Sequence, residues 1–378
     1  YKVNIIDAPV LRLSIIKIID NLMKDTPDLV GIYTNTANYH SVSLLAAEIK
    51  KANHFQKIVA GGPHATALPF ETLKETVIDY CVVGEGEETL LELVQNIDMG
   101  TEELEKIDGL AFKAIDKEII LNKPRKPIKN LDDLPFPAVN LLPPLSNYRP
   151  YLLHYKRMPY MSLTTTRGCP YKCVFCNTPF GKSLRFHSSE YVVSYMEFLS
   201  KVFGVKEFFF SDDTFTSNEE RVFQICHLIR KKELDVSWYA NTHASIKNDN
   251  LFKEMKRSGC WIVAVGAESG SPEILRLLKK GINLDHIKNT CKLVLNAGLR
   301  LKVFFILGNP GETLETIERT IKFAKSLKAD FPVFSLMRTY PGTELWETAV
   351  KFGTCDRSNF QILILSSSDP IFVPFGLS

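Results

Sequence analysis

Strand and helix patterns alternate through the second half of the chain, and this alternation restricts the fold more than any other feature of the sequence. Six short apolar strand patterns are each followed by an amphipathic helical pattern. Such repeats predict an α/β fold with a parallel sheet and helical crossovers, here an open, partial (β/α)6 TIM barrel. The expected strands are residues 161–165, 207–210, 236–240, 261–265, 302–307 and 332–336, and the expected helices are residues 190–203, 218–232, 250–258, 272–279, 285–297 and 314–326.

Three cysteines follow the first of these strands with the spacing of an iron–sulfur site. Cys169, Cys173 and Cys176 form a C-x3-C-x2-C motif at a strand carboxyl end, where barrel folds carry their reactive groups. Three thiolates on one loop can hold three irons of a four-iron cluster and leave the fourth iron open to a small molecule. A structural zinc site is the alternative, but zinc requires four ligands, and the nearest further donor is His187.

The first 98 residues predict a separate α/β domain. Short β-branched runs alternate with helical periodicity, as in an open parallel sheet of the flavodoxin-like (Rossmann-like) type, where ligands bind beyond the strand carboxyl ends. The expected strands are residues 3–6, 29–33, 57–60 and 80–83, and the expected helices are residues 11–23, 39–52, 71–76 and 87–95. Candidate ligand contacts at these strand ends are Thr34, Thr36, Gly61, Gly62, His64 and Gly84.

A connecting region separates the two α/β domains. Residues 106–123 predict a β-hairpin that turns at residues 115–117. Residues 124–150 contain seven prolines, which remove backbone donors and favour an extended interdomain strap rather than a packed element. The expected organisation is an amino-terminally incomplete first domain at 1–98, a connection at 99–158, the barrel at 159–347 and the start of a truncated carboxyl-terminal region at 348–378.

The cysteine motif resembles the signature of the radical S-adenosylmethionine (SAM) superfamily, in which an aromatic residue, here Phe175, precedes the last cysteine. In that family, SAM chelates the open iron, and one electron from the cluster cleaves the sulfonium to a 5′-deoxyadenosyl radical. The resemblance implies that the three cysteines bind a [4Fe–4S] cluster and that a donor such as flavodoxin or ferredoxin supplies the electron. It also implies SAM contacts, mostly at the other strand ends, from Phe175, Asp212, Asp213, Glu268, Ser269, Gly308, Glu312 and Arg338.

Two segments of the first domain, Gly61–Thr66 (G-G-P-H-A-T) and Val82–Glu87 (V-V-G-E-G-E), resemble the cobalamin-binding domain that precedes the core of some radical SAM enzymes. The histidine of the D-x-H-x-x-G motif, which ligates cobalt in many B12 proteins, is absent after Asp7. The resemblance therefore implies cobalamin bound without a histidine on its lower face. The expected cobalamin contacts are Thr34, Thr36, Gly61, Gly62, His64 and Gly84. A domain that no longer binds cobalamin is the alternative.

Composition excludes several classes of function. A chain of 378 residues with 45% hydrophobic residues and a net charge of +3 is globular and lacks a broad electrostatic footprint for nucleic acid. No apolar run is long enough to span a bilayer. The five cysteines outside the motif show no pairing logic, which favours buried thiols in a reducing cytoplasm.

The resemblance implies an enzyme that starts radical chemistry on a small-molecule substrate. Two reactions are favoured, namely cobalamin-dependent methylation and oxidative ring formation of the kind found in the branch of the anaerobic magnesium-protoporphyrin IX monomethyl ester cyclases. A radical SAM enzyme with a vestigial B12 domain and a methylthiotransferase are alternatives. A non-catalytic iron–sulfur or cobalamin carrier belongs to a different class, and reductive cleavage of SAM would distinguish it.

Metal counts test this interpretation. Anaerobic reconstitution with hydroxocobalamin should give about four irons and about one cobalt per chain. Cys169→Ala, Cys173→Ala and Cys176→Ala should each lower the iron content, because each removes a cluster ligand, whereas Cys226→Ala is the matched control and should retain iron. Iron content that does not depend on the three motif cysteines would contradict the interpretation.

Overall fold

The computed structural model describes residues 1–101, 103–114, 116–150, 155–357 and 371–377. Two sheets organise these residues, one in each half of the chain. Residue 115 of the expected hairpin turn and the apolar run at 362–365 lie outside the described residues. No helix of the described ranges is long and apolar enough to cross a membrane.

The first domain is built on a five-stranded sheet within the described residues. Its strands are β1 (Leu29–Tyr33), β2 (Lys57–Gly61), β3 (Tyr80–Val82), β4 (Leu110–Lys113) and β5 (Ile119–Leu121), and its helices are α1 (Ala8–Leu11), α2 (Ile15–Asp25), α3 (Tyr39–Ala52), α4 (Pro63–Ala67), α5 (Pro69–Glu75) and α6 (Glu87–Met99). The strands lie in numerical order, with β1, β2 and β3 parallel. The β4–β5 hairpin adds antiparallel to β3 and so extends this sheet.

The segment at residues 3–6 is not a strand, contrary to the expectation from its apolar residues. Val3 and Ile5 are 55% and 43% exposed. β-branched residues favour a strand only where a neighbouring strand supplies packing and hydrogen bonds. Among the described residues no strand pairs with this segment, and β1 forms the edge of the sheet. The expected helix over residues 11–23 also begins later, at Ile15.

The second domain carries six parallel strands in sequence order, as expected for a partial (β/α)6 barrel. These strands are β6 (Tyr160–Leu163), β9 (Glu207–Phe210), β10 (Ser237–Thr242), β11 (Cys260–Glu268), β12 (Arg300–Leu307) and β13 (Phe331–Leu336). Two short strands that follow β6 in the chain, β7 (Thr166–Arg167) and β8 (Arg185–Phe186), pair with each other outside this sheet. The helices are α7 (Ser189–Phe203), α8 (Glu219–Lys231), α9 (Asp249–Arg257), α10 (Pro272–Leu277), α11 (Leu284–Asn296), α12 (Leu314–Ser326) and α13 (Glu344–Thr348), followed by the antiparallel strands β14 (Gly353–Cys355) and β15 (Phe372–Pro374). Each expected strand and helix of the barrel is present, with ends within three residues of the expected positions.

The core of the barrel explains why these strands are apolar on both faces. Phe208 and Phe210 of β9 are fully buried, as is Trp238 of β10. The indole of Trp238 donates a hydrogen bond to the carbonyl of Ser258 at 2.9 Å, which satisfies its one polar atom. Helices cover one face of a barrel sheet and interior side chains fill the other, so near-continuous apolar strands result.

The proline-rich strap is extended, as expected, but it is packed against the barrel. It contains only short 3-10 turns between residues 124 and 150. Val139 and Leu145 are buried within the barrel core cluster, and the ring of Phe136 lies 4.7 Å from that of Tyr195 on α7. Prolines prevent ladder hydrogen bonds but do not prevent apolar burial. The strap therefore fastens the connection to the second domain.

Truncation of a strap residue tests this packing. Leu145→Ala should lower the free energy of unfolding by about 3 kcal/mol, because it removes buried methyl groups and leaves a cavity. Leu121→Ala is the matched control, since Leu121 is 59% exposed and its truncation should cost less than about 0.5 kcal/mol. Urea denaturation followed by circular dichroism measures both values. Equal losses in the two variants would show that the strap is not packed in this way.

Candidate active site

Backbone hydrogen bonds hold the loop that carries the three motif cysteines, residues 168–184 between β7 and β8, which we call the cluster loop. The amide of Cys169 donates to the carbonyl of Gly181 at 3.1 Å. The amide of Val174 donates to the carbonyl of Leu278 at 3.1 Å, and Val174 accepts from the amide of Leu345 at 2.8 Å. The first cysteine is thus tied to the far side of the same loop, and the middle of the motif is tied to the residue after α10 and to α13.

Gly168 makes the entry into the cluster loop possible. Its φ is +86°, and a Cβ at this position would lie 2.2 Å from the carbonyl oxygen of Ser183. Only glycine tolerates both the left-handed conformation and this close approach of two backbone segments. The glycine directly before the first motif cysteine therefore has a structural cause.

The three motif thiols share one crowded environment. Burial raises the pKa of each of them, and it raises that of Cys176 to about 11. Charge on the neighbouring motif cysteines raises the pKa of Cys173 and Cys176 further, whereas the Lys280 ammonium lowers it. Thiolates that repel one another in a poorly solvated site are stabilised by bound cations, so this environment suits metal binding.

Three soft thiolate donors on one loop suit an iron–sulfur cluster. Within the described ranges, no three His, Cys, Asp or Glu side chains converge so as to hold one metal ion. Each cysteine of a cubane binds a different iron, so the three sulfurs need not meet at one point. A single zinc ion, in contrast, requires tetrahedral convergence of its ligands.

The two expected acidic residues after β9 have different positions. Asp212 is 1% exposed, and its carboxylate accepts hydrogen bonds from the amide and the hydroxyl of Thr165, at 2.5 Å each, and from the amide of Thr166 at 2.9 Å. Asp212 thus holds the turn that leads into the cluster loop. Asp213 is exposed, and its charge raises the pKa of the Cys169 and Cys176 thiols. Of these two residues, Asp213 is therefore the one whose charge acts on the motif cysteines.

Glu268 forms a buried ion pair that the sequence did not reveal. Its carboxylate lies 2.8 Å from the ammonium of Lys280, and both side chains are about one-tenth exposed. Burial lowers the pKa of Lys280, but Glu268 and then Cys173 raise it, and the net direction is upward. A Cβ on Gly266 would lie 2.5 Å from Glu268 Oε1, so this glycine makes room for the pair. A lysine after a helix is typical of a surface position, which is why sequence reasoning missed Lys280.

Ser269 and Glu312 are turned into the fold. Ser269 is fully buried, and its hydroxyl lies 3.1 Å from that of Thr320 on α12. Glu312 is also fully buried, and its carboxylate accepts from the amides of Asn309, at 2.9 Å, and Gly308. Burial raises the pKa of Glu312, although these hydrogen bonds oppose the shift. In this structure both side chains stabilise the turns at the strand ends that surround the site.

Two of the expected SAM contacts line a cavity of about 460 Å³. It lies beside the cluster loop and is lined by Phe175, by residues 306–307 of β12, by residues 334–338 and by Tyr340. Arg338 and Phe175 thus line the same cavity, and their contact with SAM stays a prediction. The volume falls within the range of small-molecule sites.

The expected cobalamin contacts cluster at the carboxyl end of β1 and β2. Thr34, Thr36 and His64 are buried there, and His64 Nδ1 lies 3.2 Å from the hydroxyl of Thr36. Gly62 has φ +110°, and a Cβ on it would lie 2.6 Å from the carbonyl oxygen of Thr34. Gly84, in contrast, has open space around it. Much of this motif is therefore explained by packing within the first domain, and Gly84 is the position most open to a ligand.

This end of the first domain meets the cluster-loop end of the barrel. A Cβ on Gly342 would lie 3.2 Å from the Cβ of Ala67 on α4. The side-chain amide of Asn177 in the cluster loop donates to the carbonyl of Pro341 at 3.3 Å. The two sequence regions that predicted separate cofactors are therefore neighbours across the domain interface.

The buried His64 predicts a pH dependence of stability. Burial lowers its pKa to about 4 from an ordinary value of 6.5, so the folded state favours the neutral ring. Its contribution is complete above pH 6.5 and is lost as the pH falls toward 4, which between pH 7 and pH 5 amounts to about 2 kcal/mol. Urea denaturation at the two pH values should show a smaller difference for His64→Gln than for the wild type. The exposed His54 provides the control, and a His54→Gln variant should keep the wild-type difference. Equal pH dependence in wild type and His64→Gln would contradict the assignment.

Family models match both domains. Residues 163–324 match the radical SAM superfamily, and residues 1–94 match the B12 binding domain. The chain is 39% identical over 354 residues to a protein of Pyrococcus horikoshii described as an uncharacterized methyltransferase, covering 93% of this chain and 75% of that protein. It is 26% identical to the anaerobic magnesium-protoporphyrin IX monomethyl ester cyclase of Rubrivivax gelatinosus, covering 90% of this chain and 62% of the cyclase.

Solved structures share the two-domain fold. The radical SAM methyltransferase TsrM of Kitasatospora setae, solved with tryptophan and a SAM analogue, matches with a TM-score of 0.78 at 22% identity, covering 100% of this chain and 75% of TsrM. The cobalamin-dependent SAM radical enzyme OxsB with aqua-cobalamin matches with a TM-score of 0.72 at 21% identity, covering 82% of this chain and 45% of OxsB. The two family models and the 39% identical relative establish that the chain belongs to the radical SAM superfamily, in the branch that carries a B12 binding domain ahead of the radical SAM domain.

Proposed function

We propose that this chain is a cobalamin-dependent radical SAM methyltransferase that acts on a small-molecule substrate. The observation that carries the proposal is the contact between the cluster loop end of the barrel and the ligand edge of the first domain, at Gly342 and Ala67. A methyl group carried by cobalamin must reach a substrate activated at the SAM site, so the two sites must be neighbours. The 39% identity to a methyltransferase supports the same reaction type.

Cys169, Cys173 and Cys176 would hold the [4Fe–4S] cluster. When bound, the cluster supplies one electron to the sulfonium of SAM at its open iron. The protein contributes the geometry: Gly168 admits the loop, Asp212 fixes the turn before it, and the backbone of Val174 fastens its middle. Lys280 lowers the electrostatic cost of holding several thiolates together.

Glu268 and Lys280 would bind the amino-acid end of SAM. That end is a zwitterion, with an ammonium and a carboxylate that a Glu–Lys pair complements. The pair is buried, and Lys280 interacts electrostatically with Cys173 and Cys176, so it lies on the cluster side of the barrel. The cavity lined by Phe175 and Arg338 would take the nucleoside end, since its lining is largely apolar.

The first domain would bind cobalamin at the edge that carries Gly84. Bound cobalamin supplies a methyl carrier for transfer to carbon or phosphorus. His64 is buried beside Thr36 with a lowered pKa, which suits a domain that holds cobalamin without a histidine ligand on its lower face. All eight cysteines lie among the described residues as free thiols, and we infer a reducing cytoplasm and a flavodoxin or ferredoxin as electron donor.

Oxidative ring formation is the second candidate reaction. The 26% identity to the magnesium-protoporphyrin cyclase over 348 residues favours it. Both reactions begin with the same reductive use of SAM, so the assigned cluster and SAM residues apply to both. They differ in whether the SAM methyl group enters the product.

Product analysis with labelled SAM tests the proposal. In the reconstituted, reduced protein, SAM labelled in its methyl group should yield S-adenosylhomocysteine, and mass spectrometry should find the labelled methyl group on cobalamin and then in the product. Formation of 5′-deoxyadenosine without S-adenosylhomocysteine would favour ring formation instead. A protein that holds the cluster and cobalamin but never consumes SAM would contradict both reactions.

Lys280→Met tests the proposed SAM contact. Loss of one charge-assisted hydrogen bond should raise the KM for SAM, measured per iron-loaded protein, by about 10- to 100-fold. Lys279→Met is the matched control, because Lys279 is the preceding residue and its half-exposed side chain pairs with Glu344. An unchanged KM in Lys280→Met would show that Lys280 does not contact SAM.

A further inference from the structure

Charged side chains from both domains meet at the base of the cluster loop. Glu85, in the loop between β3 and α6, accepts hydrogen bonds from Arg167 Nη1 at 2.7 Å and from Arg185 Nη1 at 3.0 Å. Arg167 also pairs with Glu87. The side chains of Glu85, Arg167 and Arg185 are only 7%, 13% and 11% exposed. This network is therefore a largely buried ion cluster that crosses the domain interface.

The two arginines face each other at the point where the cluster loop begins and ends. Arg167 of β7 and Arg185 of β8 are direct partners in the antiparallel register. Like charges directly opposite each other destabilise a strand pair. Each of these strands has only two residues, so the ladder has few hydrogen bonds to oppose the repulsion. We call the β7–β8 strand pair the neck of the cluster loop. Its two facing arginines require a nearby anion.

Glu85 supplies that anion from the first domain. Arg185 Nη2 lies 2.5 Å from Glu85 Oε1, so Arg185 contacts both carboxylate oxygens. Burial raises the pKa of Glu85, but the two arginines lower it, and the net direction is below its ordinary value. Glu85 is therefore a carboxylate that bridges two guanidinium groups of the other domain. Such buried, paired charges depend strongly on all their partners.

The position of Glu85 depends on the ligand edge of the first domain. The preceding residue, Gly84, has φ +83°, and its amide donates to the hydroxyl of Thr66 at 3.1 Å. Gly84 is the open position among the expected cobalamin contacts. The same short loop therefore carries both the candidate ligand contact and the anion of the neck.

We propose that Glu85 is a positioning residue of the first domain, which stabilises the neck of the cluster loop by pairing with both of its arginines. Docking of the first domain and ordering of the cluster loop are then linked. A ligand that orders the β3–α6 loop also stabilises the neck. Linkage of this kind is reciprocal, so an ordered cluster loop equally stabilises that edge. The effect on the cluster rests on the proposed function, whereas the effect on the loop does not.

Hydrogen exchange in the cluster-free protein measures the neck directly. Glu85→Gln removes the carboxylate that the two facing guanidinium groups share and leaves Arg167 its pair with Glu87. Exchange within residues 168–184 should therefore become about tenfold faster or more. Glu88→Gln is the matched control on α6, because Glu88 is 56% exposed and pairs with Arg125 instead. It should leave exchange in the cluster loop unchanged. Wild-type exchange in Glu85→Gln would overturn the proposal.

A double variant separates charge balance from general packing. Arg185→Gln added to Glu85→Gln removes one of the two like charges, so exchange in the cluster loop should be slower than in Glu85→Gln alone. A packing role predicts that the two substitutions add, and additive or larger effects would overturn the proposal. If Glu85→Gln does not fold, Glu85→Asp, which keeps the charge, should raise exchange moderately and only within residues 168–184. A rise spread over the first domain would contradict the proposal.

The rate at which a chelator removes iron tests whether the neck stabilises the bound cluster. In the reconstituted protein, Glu85→Gln should lose iron to a chelator several-fold faster than wild type and Glu88→Gln. If faster exchange in the cluster-free loop is found but the wild type holds no iron, the proposed function fails and the neck assignment stands. If the cluster is present and exchange does not change, the neck assignment fails and the proposed function stands.

Discussion

The structure depends on one loop that carries three poorly solvated, electrostatically interacting cysteine thiols. Burial and mutual repulsion both oppose the thiolate forms, as the raised pKa of Cys176 shows. The surrounding residues reduce this cost in different ways. Lys280 provides positive charge near the sulfurs, the carboxylate of Asp212 holds the turn before the loop, and Gly168 admits a backbone approach that no other residue allows.

Many polar residues around the site are structural supports. Asp212 and Glu312 are almost fully buried, and their carboxylates accept hydrogen bonds from backbone amides of the turns that follow β6 and β12. Irregular turns leave amides without ladder partners, and a buried carboxylate satisfies several of them at once. Motif residues at strand ends can therefore mark a ligand site without touching the ligand, because they shape the loops that do.

The two domains are joined by more than a tether. The strap packs its apolar residues into the barrel core, and the Glu85 network places an anion of the first domain between two arginines of the second. A flexible linker would leave the distance between two cofactors variable. Buried ion pairs have strict geometric requirements, so they hold one relative arrangement more narrowly than apolar contact alone. Chemistry that passes between two bound groups benefits from such a fixed distance.

The sequence by itself determined the features that depend on local pattern. Strand and helix periodicity predicted the barrel elements to within three residues, and the spacing of Cys169, Cys173 and Cys176 predicted the donor loop. Residues 3–6 carry a strand pattern without becoming a strand, since pairing needs a neighbour. Only the tertiary structure decided which side chains meet. Glu85 lies 82 residues from Arg167 and 100 from Arg185, and no local pattern encodes a contact between groups so far apart in the chain. Lys280 likewise resembles a surface lysine in the sequence, and folding alone buries it beside Glu268 and the cysteines.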